Sequence, residues 1–480
     1  MTELIEKSDS ESSGAHTKIA IEDAPSPTPV FSAGESFHGG TGTTVAAYRL
    51  YRWRFAGLLG FVILNIVAAM GWPWFGPISN EMAQEFGITL DQVNWLGNIV
   101  ALVYLPVSLL IPVVVARYGV RRCCDIGAVA LLLAAWIRYA GTAMALTSSS
   151  AYALLVIGQF FASIAQAVYQ VLGPKYSETW FDLRSRTTAT MVIAISNPIG
   201  GAVGQLLSPL VGGPRHSILV LGIISTAAVP FVFLIRKAPP TPPTYAGSKT
   251  SPSIFSLLNA LLGRESHPDW HMTLRERIDF ILIAFIFGVN VGATNAFAIL
   301  TSQIFEPQGY SSDISGLMGA CLLLAGIIAA IVTAPLFDRV FTHHLAVTTK
   351  IMVPIIAGSW LSLIWAVKPN NTGGLFAIMA IIGICAVTML PVGLELGCEL
   401  TRNADGSSAI LWFMGNLFGV IFILSQGALR AGPDAAPPLN MHKALIFNGA
   451  FLMGSAALIF LVEGKMTRKA RDEEKNMEAP

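Results

Sequence analysis

The sequence predicts an all-α membrane protein whose twelve transmembrane helices form two six-helix bundles, and three observations carry that reading. Hydrophobic residues fill 53% of the 480 positions and charged residues only 12%, far too apolar a balance for a string of soluble domains. Twelve apolar runs follow one another along the chain, each about 20 residues or longer, enough helix to cross a hydrocarbon layer about 30 Å thick. A polar stretch at 236–277 divides the runs six and six, and its Pro-rich opening (Pro239, Pro240, Pro242, Pro243) reads as a linker.

Taken in order, residues 1–48 are rich in Ser, Gly, Pro and Glu, with no apolar core and no basic-then-apolar pattern. They read as a disordered cytoplasmic tail, neither signal peptide nor domain. The N-terminal bundle, 49–235, holds spans 1 to 6 near 55–78, 93–116, 124–146, 152–174, 187–211 and 216–235. After the cytoplasmic linker, the C-terminal bundle, 278–464, holds spans 7 to 12 near 278–303, 311–336, 345–367, 373–398, 406–429 and 443–463. Residues 465–480 form a second cytoplasmic tail. Basic residues orient the ladder: with both termini inside, 23 of the 30 Lys and Arg lie on cytoplasmic flanks and loops, and only Arg215, Lys368, Arg430 and Lys443 lie outside. The glycosylation sequon Asn370-Asn371-Thr372 falls in an outer loop, as this orientation requires. The plasma membrane is the expected location, with a vacuolar, lysosomal or mitochondrial membrane as the alternative.

Composition also limits the chemistry. A net charge of +1 argues against attraction to nucleic acid. The five cysteines (Cys123, Cys124, Cys321, Cys385, Cys398) lack metal-ligand spacing and read as small apolar residues, and the histidines avoid the middles of the runs. No cofactor and no metal is expected. An intramembrane enzyme would need a nucleophile with a base, or a metal set, at depth, and the runs supply neither. The expected partners are a small-molecule substrate and the lipid bilayer, and the chain is expected to be a monomer.

The candidate site centres on the stretch Gly158 to Gln205. Gln166 lies about 14 residues into span 4, roughly 21 Å along the helix, where an amide is costly without a partner. On span 5, Asn197 and Pro198 precede Gly200, Gly201 and Gly204, small residues that let backbones approach, while Pro198 removes one helical hydrogen bond. Asn290 and Asn295 on span 7 and Asn416 on span 11 are the other mid-depth amides. Each is either glue between helices or part of a polar pocket between the halves. Trp72-Pro73-Trp74 ends span 1 either as an interfacial aromatic belt or as a break that turns an indole into that pocket, where its face attracts a cation.

Acids are scarce at depth, so a dedicated proton relay has little to work with. Glu395 and Glu399 sit near the inner end of span 10, and Glu178 takes the matching place on span 4. These acids either latch the cytoplasmic side by pairing with Arg121, Arg122 or Arg339, or are ordinary inner-loop charges. Arg138, about 15 residues into span 3, is expected to snorkel to the outer surface. The halves echo one another: Arg54 stands eleven residues before Asn65 and Asp279 eleven before Asn290, and Trp72 and Phe297 follow seven later. The basic loops Ala116-Arg117-Tyr118-Gly119-Val120-Arg121-Arg122 and Phe337-Asp338-Arg339 hold equivalent places after spans 2 and 8.

These loops resemble the basic loop signature of the major facilitator superfamily, with the acid lost at Ala116 and kept at Asp338. Lys175-Tyr176-Ser177-Glu178, Trp180-Phe181, Arg186 to Met191 and Asn197-Pro198-Ile199-Gly200-Gly201 are more specific. With Trp72 to Asn80, Ala135 to Arg138 and Leu390 to Thr401, they resemble the feline leukaemia virus subgroup C receptor-related transporters of that superfamily, over about 50–465. The resemblance implies alternating access and passage of choline or ethanolamine, with Trp72 and Gln166 matching the binding aromatic and amide. Two positions depart: Asn295 stands where those carriers have a tyrosine and Asn416 where they have a glutamine. A related branch linked to vitamin B6 compounds also follows its Trp with Gly-Pro-Ile, as in Gly76-Pro77-Ile78. The expected function is therefore facilitative transport of a small polar or cationic solute. The alternatives are vitamin B6-like compounds or haem as cargo, or a membrane nutrient receptor that does not transport.

Overall fold

The computed structural model describes residues 21–22, 49–244, 254–264, 271–336 and 345–464. The expected disorder of 1–48, apart from Ile21–Glu22, and the tail 465–480 fall outside the described residues, as do Asp338 and Arg339. Ile21–Glu22 pairs in parallel with Leu50–Tyr51.

Among the described residues, eleven helices are long and apolar enough to cross a membrane, and one of them, Leu90–Ala140, runs for 51 residues. At 1.5 Å per residue that is about 76 Å, twice what a bilayer needs. It is two spans joined at Gly119, whose φ of 79° and ψ of 167° no helix contains. A Cβ there would meet nothing within 4 Å, so the position calls for glycine by its backbone angle alone. With this break counted, the twelve spans stand. Span 1 is Trp53–Met70 and span 4 is Ser148–Val171, which continues after Leu172 as Gly173–Trp180. Span 5 is Leu183–Leu210, span 6 Pro214–Ala228, span 7 Leu274–Phe305 and span 8 Ser312–Leu336. Spans 9 to 12 are Leu345–Ala366, Thr372–Thr401, Ala404–Ala428 and His442–Ala457. The first and last spans open and close on one face, which also carries the helix Ile254–Leu261 and is called here the linker face; the other is the far face.

Several boundaries move by a few residues, two of them for a reason written in the sequence. Span 1 ends at Met70 rather than 78, because Pro73 has no N–H to donate and its ring disfavours helix at Trp72. The chain turns through 71–78 and resumes as the short helix Ser79–Phe86, closed by Gly87 at φ 62°. Span 7 starts at Leu274, four residues early. Thr273 accepts from the Glu276 amide and Glu276 reaches back to the Thr273 amide, a capping box written in polar residues that an apolar count passes over.

Small residues set how closely the spans pack. A Cβ on Gly200 would stand 2.0 Å from the Ile66 carbonyl oxygen and one on Gly204 2.6 Å from that of Met70, so span 5 lies directly on span 1. Gly383 plays the same part for span 10 on span 8, 1.7 Å from the Leu322 oxygen. The cysteines are free thiols, four of them buried.

Candidate functional site

Between the halves lies a cavity of about 970 Å³, mouth included, and all six predicted site residues line it: Trp72, Gln166, Asn197, Asn290, Asn295 and Asn416. They come from the end of span 1 and from spans 4, 5, 7 and 11. Pro73 splits two tryptophans between two environments. Trp74 is fully buried and donates to Ser217 Oγ at 2.7 Å, whereas Trp72 faces the cavity with its Nε1 unpartnered. Gly201 lies beside that indole, where a Cβ would make ordinary contact with Trp72 Cζ2 at 3.9 Å and would crowd Leu323 Cδ1 at 3.2 Å.

The amides differ in how they are held. Asn197 Nδ2 donates to Asn65 Oδ1 at 3.5 Å, and Asn65 donates to the Ile193 carbonyl at 3.0 Å and Ser196 Oγ at 2.7 Å. Asn197 is thus both wall and glue between spans 1 and 5. Asn290 and Asn416 each donate one turn back along their own helix, to the carbonyls of Ile286 at 2.8 Å and Trp412 at 2.9 Å. Asn290 Oδ1 remains buried without a partner. Asn295 faces the wall near Gly419, whose Cβ would lie 3.7 Å from its Nδ2.

Of the lining residues missed from sequence, two carry unpartnered polar atoms. Gln170 stands four residues after Gln166, hence on the same helix face, and that spacing was the available signal. Trp412 packs edge-on against Phe287 at 5.5 Å and carries a buried, unpartnered Nε1 on the cavity wall; one Trp in an apolar run gives no sign of this. The half-to-half echo fails in detail: Phe297, the counterpart of Trp72, packs on Trp360 and Phe305. No ionisable side chain lines the cavity among the described residues.

Arg138 does not snorkel: it is 1% exposed. Its Nε donates to the Ala134 carbonyl at 3.0 Å and its Nη1 to Gln159 Oε1 at 2.9 Å. Gly71 and Gly158 make the room, since a Cβ on either would fall 2.9 Å and 2.3 Å from Arg138 side-chain atoms. An acceptor in place and space for the chain hold the cation inside.

Of the predicted linker-face latch, Arg339 lies outside the described residues, and Arg121 and Arg122 meet a nearer acid. Arg121 bonds Asp125 at 3.0 Å and Arg122 approaches the same carboxylate at 3.8 Å, because Asp125 lies one helical turn away from both. Lys175 reaches Glu178 at 3.0 Å, again one turn along a helix. Arg117 is exposed and lies over the Tyr118 ring, Glu395 is half-buried and Glu399 is buried. Polar ties between the halves are seen on the far face. Gln303 donates to Asn94 at 2.7 Å, Arg430 donates to Gln303 at 2.8 Å and pairs with Asp91 at 3.0 Å. Ser79 and Ser302 share a hydrogen bond of 2.7 Å, and Asn80 bonds Glu306. Beside them, burial together with the negative charges of Asp313 and Glu85 pushes the Glu81 carboxyl above its ordinary range.

A family model described as Major Facilitator Superfamily matches residues 61–423. Solute carrier family 49 member A3 of Xenopus tropicalis is 26% identical over 423 residues, 84% of this chain and 83% of the relative. The choline/ethanolamine transporter FLVCR2 of Homo sapiens is 24% identical over 447 residues, covering 90% and 81%. The choline/ethanolamine transporter FLVCR1 of Felis catus is 25% identical over 418 residues, covering 82% and 71%. A match that takes in spans from both halves, around a cavity that both halves build, makes this chain an integral membrane protein of the Major Facilitator Superfamily.

Proposed function

We propose that the chain carries a small polar or cationic organic solute, of the choline and ethanolamine kind, across the membrane by alternating access. The observation behind this reading is the convergence of two indoles and six amides, from both halves, on a single cavity that leaves hydrogen-bonding atoms unpaired. A buried unpaired polar atom costs about 1–3 kcal/mol, which a solute or water that meets it returns. The Trp72 face can hold a cation for about 0.5–2 kcal/mol with no carboxylate beside it. The names of the relatives point to the same solutes. With the linker face cytoplasmic, the far-face ties close the outside, and rocking of the halves exchanges that closure for one at the linker face.

Uptake into vesicles made with the purified protein tests the reading. Trp72→Ala and Gln166→Ala are each expected to lower solute affinity several-fold with folding intact. Asn295→Tyr is expected to improve choline recognition by restoring an aromatic wall. Because no charged group among the described residues lines the cavity, uptake of a cation should follow an imposed potential, about 2.3 kcal/mol per charge per 100 mV. Strict dependence on a pH gradient at clamped potential would rule out facilitative transport.

The far-face ties give a separate expectation. Arg430→Ala removes the contacts to Gln303 and Asp91, the second of which is worth about 1 kcal/mol or less at the surface. A cysteine introduced by Gln166→Cys in a cysteine-free background should then label a few-fold faster with an impermeant maleimide added at the far face. Equal rates would remove these residues from gating.

A further inference from the structure

We infer that Gln205 acts as a spring at the seam between spans 5 and 8: with the far face closed its buried amide has no partner, and opening of that face relieves it. The inference rests on the alternating access proposed above and not on which solute is carried. Gln205 is 1% exposed, and neither its Oε1 nor its Nε2 has a hydrogen-bond partner. Ser208, three residues on and equally buried, leaves its Oγ unpaired as well. Pro209 has no N–H to return to the Gln205 carbonyl, so the backbone oxygen there loses its helical donor too. A buried donor or acceptor without a partner forfeits its bonds to water, and an apolar group of the same shape would be more stable in its place.

Span 8 sets glycine against this amide. A Cβ on Gly319 would fall 2.2 Å from Gln205 Oε1 and 3.0 Å from its Cδ, and one on Gly316 would lie 3.3 Å from the Gln205 carbonyl oxygen. Glycines let the two halves close to backbone distance here, and they bring no side chain that could satisfy the amide. Gln205 stands five residues before the far end of span 5, about 8 Å along the helix, where the seam parts when the halves rock open on that side. Water entering the gap supplies the donor and the acceptor that the closed seam withholds. Where span 2 meets spans 7 and 11 the character is opposite: Asp91, Asn94, Gln303 and Arg430 are paired across the halves while the far face is closed. The ties favour closure and the unpaired amide opposes it, which keeps both states within reach of a solute.

Labelling of the full-length chain in a cysteine-free background tests this, with Gln166→Cys as the reporter and an impermeant maleimide added at one face or the other. Gln205→Met keeps the length of the side chain and removes both amide atoms. It should raise the melting temperature and lower the far-face labelling rate roughly tenfold against the reporter alone, while linker-face labelling holds or rises. Ser208→Ala should move both readings the same way by a smaller factor, about twofold, and decides the matter if the Met variant does not fold. Its carbonyl, which accepts from Ser217 Oγ at 3.1 Å, is unchanged by the substitution. A side chain that merely packs the seam would lose stability on replacement with no change in which face is open. Unchanged or faster far-face labelling, whatever the melting temperature does, overturns the spring and leaves alternating access in place. A reporter that never labels from the far face, even without the seam variants, overturns alternating access and the spring together.

Discussion

Gln159→Leu is expected to cost about 3–5 kcal/mol and to take most of the protein out of the monodisperse, folded fraction after extraction in detergent. Gln159 is the side-chain acceptor for Arg138, and its own amide donates to the Leu96 carbonyl at 3.1 Å and the Gly71 carbonyl at 3.4 Å. One glutamine therefore joins spans 2, 3 and 4 to the turn that carries Trp72. Leucine in its place leaves a guanidinium buried without its acceptor, and removing one partner of a buried charge is far worse than removing both. The double variant Arg138→Met with Gln159→Leu should accordingly recover much of the loss, because two apolar side chains of similar bulk leave no unsatisfied charge. Melting temperatures of the three variants measure this. A Gln159→Leu protein that melts within a degree or two of wild type would show that Arg138 finds another acceptor and does not depend on this one.

Gly200→Val is expected to be nearly as damaging, and to damage the site first. Its Cβ would stand 2.0 Å from the Ile66 oxygen, 2.9 Å from the Ile66 carbonyl carbon and 2.8 Å from Ala69 Cβ. These are mostly backbone atoms that no rotamer change can move, so spans 1 and 5 must part. Overpacking of this kind costs about 1–3 kcal/mol, and more where backbone blocks backbone. Asn197, which carries the bond to Asn65, lies one turn before Gly200, and Trp72 packs near Gly201; parting the spans therefore opens both sides of the cavity. Gly358→Ala is the control, since a Cβ there meets nothing within 4 Å. Solute affinity and melting temperature should both fall for the first variant and stay unchanged for the second. Equal behaviour of the two would remove close packing as the reason for the span 5 glycines.

Much of this molecule could be read from its residues alone because crossing a bilayer is a local requirement. About 20 apolar residues in a row carry their own instruction to cross, and each mid-depth amide marks itself as costly by type and position. That is why the twelve spans and the six residues on the cavity wall were all within reach. Where two signals overlapped, the apolar count erred: the proline that ends span 1 at Met70 and the capping box that starts span 7 at Leu274 are written in residues a hydropathy count ignores.

Other features exist only once helices are placed side by side. Arg138 looks the same in sequence whether it reaches lipid headgroups or a glutamine. Burial was decided by Gln159, 21 residues away, and by two glycines that leave space for the chain. Trp412 and Gln170 join the site through the angle at which spans 11 and 4 face it. The ties on the far face link residues as distant as Asp91 and Arg430, 339 positions apart, so no local pattern could announce them. Transfer into a membrane sums over single side chains and is legible one residue at a time. Pairing and close packing depend on which atoms lie opposite, and only the assembled bundle decides that.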